Sequence, residues 1–169
     1  MRVYFSKTIP FGRFTAINLF ARLYVKDTDG TKVKCMISRP SRYFRLIQHE
    51  RTHTKQQNNL LGIFFYIWYV IEWFFKIFTE VKAYKELSFE REARANEKDT
   101  DLYNVRACMK EGFIILYTTD INGIPNIINR IIDNIEDLKY IEFIPTKTKG
   151  SLINRKWGNW LKYVFKRKV

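Results

Sequence analysis

Both histidines of the chain lie in one short stretch, His49-Glu50-Arg51-Thr52-His53, a pattern of the form H-E-x-x-H. On an α-helix, residues four apart share a face, so the two imidazoles would stand one above the other. Two imidazole nitrogens so placed can bind one tetrahedral zinc. Glu50 is one residue round the helix from His49. From there it can take a proton from a water acidified by the metal without occupying a coordination position. Lewis acid, acidified water and base together make metal-assisted hydrolysis the chemistry that these residue types fit. The competing reading is a helix with two surface histidines. Against it, Leu46, His49, Glu50, His53, Gln57 and Leu60 follow a spacing of three and four, which puts the histidines on a face that also carries apolar residues.

Two histidines leave a zinc short of a third protein ligand. Residues 80–106 are rich in Ala, Glu, Lys and Arg and hold no Gly or Pro, which predicts one long helix. On its wheel Ala83, Glu86, Glu90, Ala93, Glu97 and Asp101 form one acidic stripe with small residues, able to press against another helix. Glu92 faces away, towards solvent. Glu90 is the first choice of third ligand, Glu97 the second and Glu86 the third. A carboxylate left over on the stripe would accept the free N–H of a ligating histidine. An exposed, salt-bridged face is the bland alternative.

The elements that must carry this site are read as follows. Residues 1–13 form an arm or short edge strand, broken by Pro10 and Gly12. Residues 15–26 and 31–37 read as two strands of a β-hairpin joined at Asp27-Thr28-Asp29-Gly30. Ser38 or Ser41 can cap the helix of residues 41–60, which carries the histidines and ends near Gly62. Residues 61–78 are apolar nearly all round, interrupted by Glu72 and Lys76. An ionised glutamate in hydrocarbon costs about 2–3 kcal/mol or more. A buried core helix, an interfacial helix and a membrane span therefore compete here. Residues 112–117, 125–138 and 140–144 read as β-α-β, an addition or insertion serving packing. Residues 152–169 form a basic amphipathic helix with Trp157 and Trp160, suited to a membrane surface or to docking on the core.

These elements predict an α+β protein: an N-terminal hairpin or small sheet on a helical core (residues 1–106), a βαβ-like addition (107–150) and a basic terminal helix (151–169), all in one compact domain. A length of 169 residues agrees with a single core. The net charge of +13 and 17% aromatic content point to anionic surroundings, a membrane surface before nucleic acid, because no recognition module is legible. Cys35 and Cys108 form no C-x-x-C pair, which suits a reducing compartment. The first residues lack the apolar run of a signal peptide. The expected location is cytoplasmic, peripheral to or partly embedded in the inner membrane.

The H-E-x-x-H string followed at a distance by Glu90-Arg91-Glu92-Ala93 resembles the gluzincin branch of zinc metallopeptidases. The extension to Gln56-Gln57 is similar to the H-E-x-x-H-x-x-Q-Q of small peptidase-like domains in that branch. Together with Phe65-Tyr66-Ile67-Trp68-Tyr69, Glu72 and Ala83-Tyr84, residues 8–106 look like a family of small, functionally uncharacterised proteins from Bacteroidetes-type bacteria. The basic tail resembles that family's end, and residues 107–154 have no counterpart in it. The resemblance implies a zincin-like core with zinc held by His49, His53 and Glu90. It also implies Glu50 as general base and acid, a peptide or protein substrate, and a hairpin strand able to pair with an extended peptide. Tyr84, Tyr103 and Arg106 are the candidates for stabilising an oxyanion, and nothing in the sequence selects among them. The rival functions are a catalytically silent, zinc-structured scaffold and a basic adaptor for membrane or nucleic acid.

Overall fold

The structure, a computed structural model, describes residues 1–79, 83–97, 103–110, 112–116 and 125–146. It is α+β, and it divides into two compact units. The first comprises Met1–Ile47 and Asp101–Lys147, the second Gln48–Thr100, each taken over its described residues.

The first unit is built on a six-stranded sheet. Its strands are β1 (Arg2–Ser6), β2 (Ala16–Leu19), β3 (Arg22–Lys26), β4 (Tyr103–Met109), β5 (Gly112–Leu116) and β6 (Leu138–Pro145), in the order β2-β3-β1-β6-β4-β5. Only β1 and β3 pair in parallel, with Val3 opposite Leu23. The Met1 ammonium donates to the Phe143 carbonyl at 2.8 Å and extends the β1–β6 pairing. Alternate residues point to one face: Val3, Leu23, Val25, Tyr103, Val105, Ala107, Ile141 and Phe143 are all buried. Helix α1 (Thr31–Ser38) adds Val33, Met36 and Ile37 to this core, and Phe44 and Ile47 join it from the start of α2 (Phe44–Asn59). Phe44 meets the rings of Tyr103 and Phe143 edge-on.

Several expectations are corrected here. Residues 31–37 are a helix, not the second strand of a hairpin. The carboxylates read as turn chemistry serve as caps instead. Asp27 Oδ2 accepts from the Val33 N–H at 2.9 Å, and Asp29 Oδ1 from the Thr31 N–H at 3.1 Å. The hairpin is β2–β3, turning at Phe20 and Ala21, both at positive φ (47° and 64°). That is the two-residue hairpin geometry, without the Asn or Gly that usually marks it. The predicted long helix of residues 80–106 does not reach Arg106, which lies in β4. Residues 112–144, read as β-α-β, do hold a strand, a helix and a strand, and the strands join the main sheet. These residues supply β6, which pairs with β1 on one side and β4 on the other, and helix α6 (Pro125–Asp133), which lies between β5 and β6 in the chain. The expected terminal helix of residues 151–169 lies outside the described residues.

The second unit is helical. Helix α2 ends where Leu61 and Gly62 take positive φ and the Gly62 N–H returns to the Gln57 carbonyl at 2.7 Å. There the chain turns by 110° into α3 (Ile63–Thr79). Two helices follow, α4 (Ala83–Glu86) and α5 (Ser88–Asn96), broken at Leu87, whose backbone is extended. The break is fixed by Glu72 of α3. Its carboxylate accepts from the Ser88 N–H at 2.9 Å and from the Ser88 hydroxyl at 2.5 Å, supplying α5 with the N-terminal cap that its own sequence lacks. The Lys76 ammonium, 2.8 Å from the same carboxylate, offsets the burial of its charge.

Candidate metal centre

Helices α2, α3 and α5 surround the site, which lies wholly in the helical unit. His49 and His53 project from one face of α2, with their Nε2 atoms 3.1 Å apart. Glu90, in the first turn of α5, brings Oε2 to 3.5 Å from His49 Nε2 and Oε1 to 3.3 Å from His53 Nε2. Bonds of about 2.0–2.1 Å at tetrahedral angles place neighbouring ligand atoms about 3.3–3.4 Å apart; the two ring nitrogens stand slightly closer than that, and each lies near that distance from a different oxygen of Glu90. Among the described residues this is the one group of three His, Cys, Asp or Glu side chains with its ligand atoms so gathered.

The far side of each ring decides what the near side offers. His49 Nδ1 lies 2.7 Å from Glu97 Oε1, and a carboxylate only accepts, so that nitrogen carries the proton. His53 Nδ1 lies 2.8 Å from Gln56 Oε1. The Gln56 amide cannot be turned over, because its Nε2 already donates to Glu92 Oε2 at 2.8 Å and to the Phe89 carbonyl at 3.2 Å. His53 Nδ1 is therefore also the protonated nitrogen. In their neutral forms both rings aim bare Nε2 lone pairs at each other and at a carboxylate. Three acceptors converge where only a proton or a cation can hold them together.

The electrostatics of the pocket agree. Burial opposes charge on His49, but the carboxylates of Glu90, Glu50 and Glu97 outweigh it and hold the ring above its ordinary value. Burial likewise works against the Glu90 carboxylate, yet the two histidines beside it, which can hold it only as protonated rings or through a shared cation, keep it far below the usual range. The Tyr69 hydroxyl donates to Glu90 Oε1 at 3.3 Å. Burial and the neighbouring Glu90 push the Tyr69 and Tyr84 phenols well up, so both remain protonated donors at neutral pH. Phe65, Tyr69 and Phe89 form an apolar wall, with Phe65 packed 4.7 Å from Phe89 and 6.2 Å from the His53 ring. His49 and Glu50 are only partly buried. This edge of the pocket is the open one.

Of the residues singled out from sequence, His49, His53 and Glu90 converge. Glu97 takes the hydrogen bond behind His49, and Glu86 lies in α4, across the Leu87 break from Glu90 and outside the cluster. Glu50 is close enough for its charge to act on both His49 and Tyr84. Tyr84 belongs to the pocket; Tyr103 and Arg106 belong to the sheet unit. Tyr103 is fully buried in that unit's core, and the Arg106 guanidinium pairs with Glu142. Glu92, expected in solvent, is buried and anchors Gln56. Asp101 lies outside the described residues. Gln56, Glu92 and Tyr69 also support the site, beyond the roles the residue pattern predicts. Gln56 had a signal, since three residues after His53 is one helical turn; the other two had none that is local.

No family model, curated protein or solved structure matches the chain. The likeness to gluzincins therefore rests on the residues themselves.

Proposed function

We propose that this protein is a zinc-dependent hydrolase with a zincin-like core in its helical unit, peptidase-like, holding the ion with His49, His53 and Glu90. The reading is supported by the convergence of two imidazole Nε2 atoms, whose other ring nitrogens are already hydrogen-bonded, and a buried carboxylate. Bound zinc would act as a Lewis acid and acidify a water. The chain's own groups do the rest. Glu50, at the open edge, accepts the proton of the attacking water and returns it to the leaving amine. Tyr84, half exposed beside Glu90, donates a hydrogen bond to the oxygen on which negative charge develops. Glu97 and Gln56 fix the ring tautomers. The Phe65–Phe89 wall keeps the pocket's dielectric low.

The test is elemental analysis of the purified chain beside Glu50→Gln, together with hydrolysis of a mixed peptide library. Both proteins are expected to hold zinc, with Glu50→Gln slower by about 10²–10⁴-fold, the usual size of general-base catalysis. Zinc in both with identical rates would leave a zinc-structured scaffold and remove the enzyme.

A further inference from the structure

Helix α3 has two sides of different character. Phe65, Tyr69, Glu72 and Lys76 follow a spacing of four and three on the stripe that meets the site and caps α5. At roughly 100° per residue, the remaining arc from Trp73 round to Trp68 covers about 220° of the helix. Every Ile, Val, Phe and Trp on that arc is exposed, from Trp68 at 37% to Phe78 at 74%. A helix resting on a protein core and facing water carries polar residues there. This one carries only the phenol of Tyr66, near the edge marked by Trp73.

We propose that this arc seats in the headgroup–acyl boundary of an anionic bilayer, with α3 lying in the membrane plane. Four observations select that occupant. First, a second copy of the chain would cover one seam of such an arc and leave the rest wet, whereas lipid covers all of it. Second, the charges that weighed against lipid in the sequence, Glu72 and Lys76, are turned inward and paired. Third, the indoles of Trp68 and Trp73 stand at the two edges of the arc, where a helix lying in the interface places them at headgroup depth, while Ile67 and Phe74 are central and deepest. Fourth, the net charge of +13 complements anionic lipid. No single described helix is long and apolar enough to cross a membrane. At 17 residues α3 spans about 26 Å, short of the ~30 Å hydrocarbon core. The proposal stands on exposure and charge and is independent of the metal.

The experiment uses the full chain with Trp157 and Trp160 replaced by Phe, which leaves Trp68 and Trp73 as its indoles. It is mixed with phosphatidylcholine–phosphatidylglycerol vesicles whose acyl chains are brominated near the headgroup. The expected result is co-flotation that survives high salt, with quenched indole emission. The double variant Ile67→Glu, Phe74→Glu should lower the bound fraction about tenfold while far-UV circular dichroism is unchanged. Binding wholly stripped by salt, or binding without quenching, would overturn the proposal in favour of adsorption by charge alone. So would protein that stays off the vesicles as a dimer which the double variant dissociates.

Discussion

Around Val3, Leu23, Ile141 and Phe143 the sheet unit closes over apolar side chains, and its paired charges, such as Arg106 with Glu142, stay nearer the surface. The helical unit is built the other way. Gln48, His53, Gln56, Glu72, Glu90 and Glu92 are buried, while Phe64, Phe74, Phe75 and Phe78 face outward. In the first unit, burial of apolar surface is itself the stabilising force. In the second, polar groups that lost their hydration are held by one another, and a mutually satisfied network stabilises far less than its hydrogen bonds suggest. A unit of that kind depends on what it binds. The sheet is a scaffold on its own account, whereas the helical unit, if the proposed function holds, is conditional on an ion.

That contrast can be broken most severely by removing the proposed ion. For a site of this kind, metal binding is folding free energy. A strong chelator is expected to accelerate amide hydrogen exchange in α2 and α5 by about a hundredfold or more, while β4 and β6 keep their protection. Equal loosening of both units would end the distinction. Next in size, Phe143→Ala opens a cavity among Phe44, Tyr103 and Ile141. It should destabilise the sheet unit by about 3–5 kcal/mol in denaturant titration, leaving zinc stoichiometry unchanged in the folded protein. Smaller again, Gln56→Ala frees the His53 ring and strands Glu92. Competition with a chromogenic chelator should show zinc affinity reduced about 10–100-fold.

The smallest effect is a pH dependence confined to the sheet. Burial works against the Glu142 charge, but Arg106, the Met1 ammonium and Arg2 outweigh it and lower its pKa from 4.5. The ionised form is thus preferred in the folded chain. Its contribution to stability is complete above the unfolded value and disappears as pH falls through the lower folded value. Thermal unfolding followed at the β4–β6 strands should weaken below about pH 4.5, and Glu142→Gln should flatten that slope.

What could be read in the sequence was what is local. The spacing of His49 and His53 needs only one helix, and Glu90 keeps its place because α5 alone presents it, even though the helix drawn through it breaks at Leu87. Nothing short of the fold shows that Glu72, sixteen residues upstream, caps Ser88. Residues 31–38 misled because Val33, Met36 and Ile37 fit a helix while Val33, Cys35 and Ile37 fit a strand, and the alternation was preferred beside an Asp-Gly turn. The hairpin at Phe20-Ala21 carried no turn residue at all. β6 reached the middle of the sheet by non-local pairing with β1, which no window of residues contains. The helical wheel puts Glu92 on the solvent side. Its burial depends on the Gln56 amide, a partner that hydrophobic periodicity cannot reveal.

The central claim is that three lone-pair atoms share one cation. Anomalous diffraction at the zinc edge, on crystals grown with the metal, tests it most directly. The account predicts one peak about 2.0–2.2 Å from His49 Nε2, His53 Nε2 and a Glu90 carboxylate oxygen. No peak there, with a protonated imidazole donating to Glu90 in its place, would contradict it.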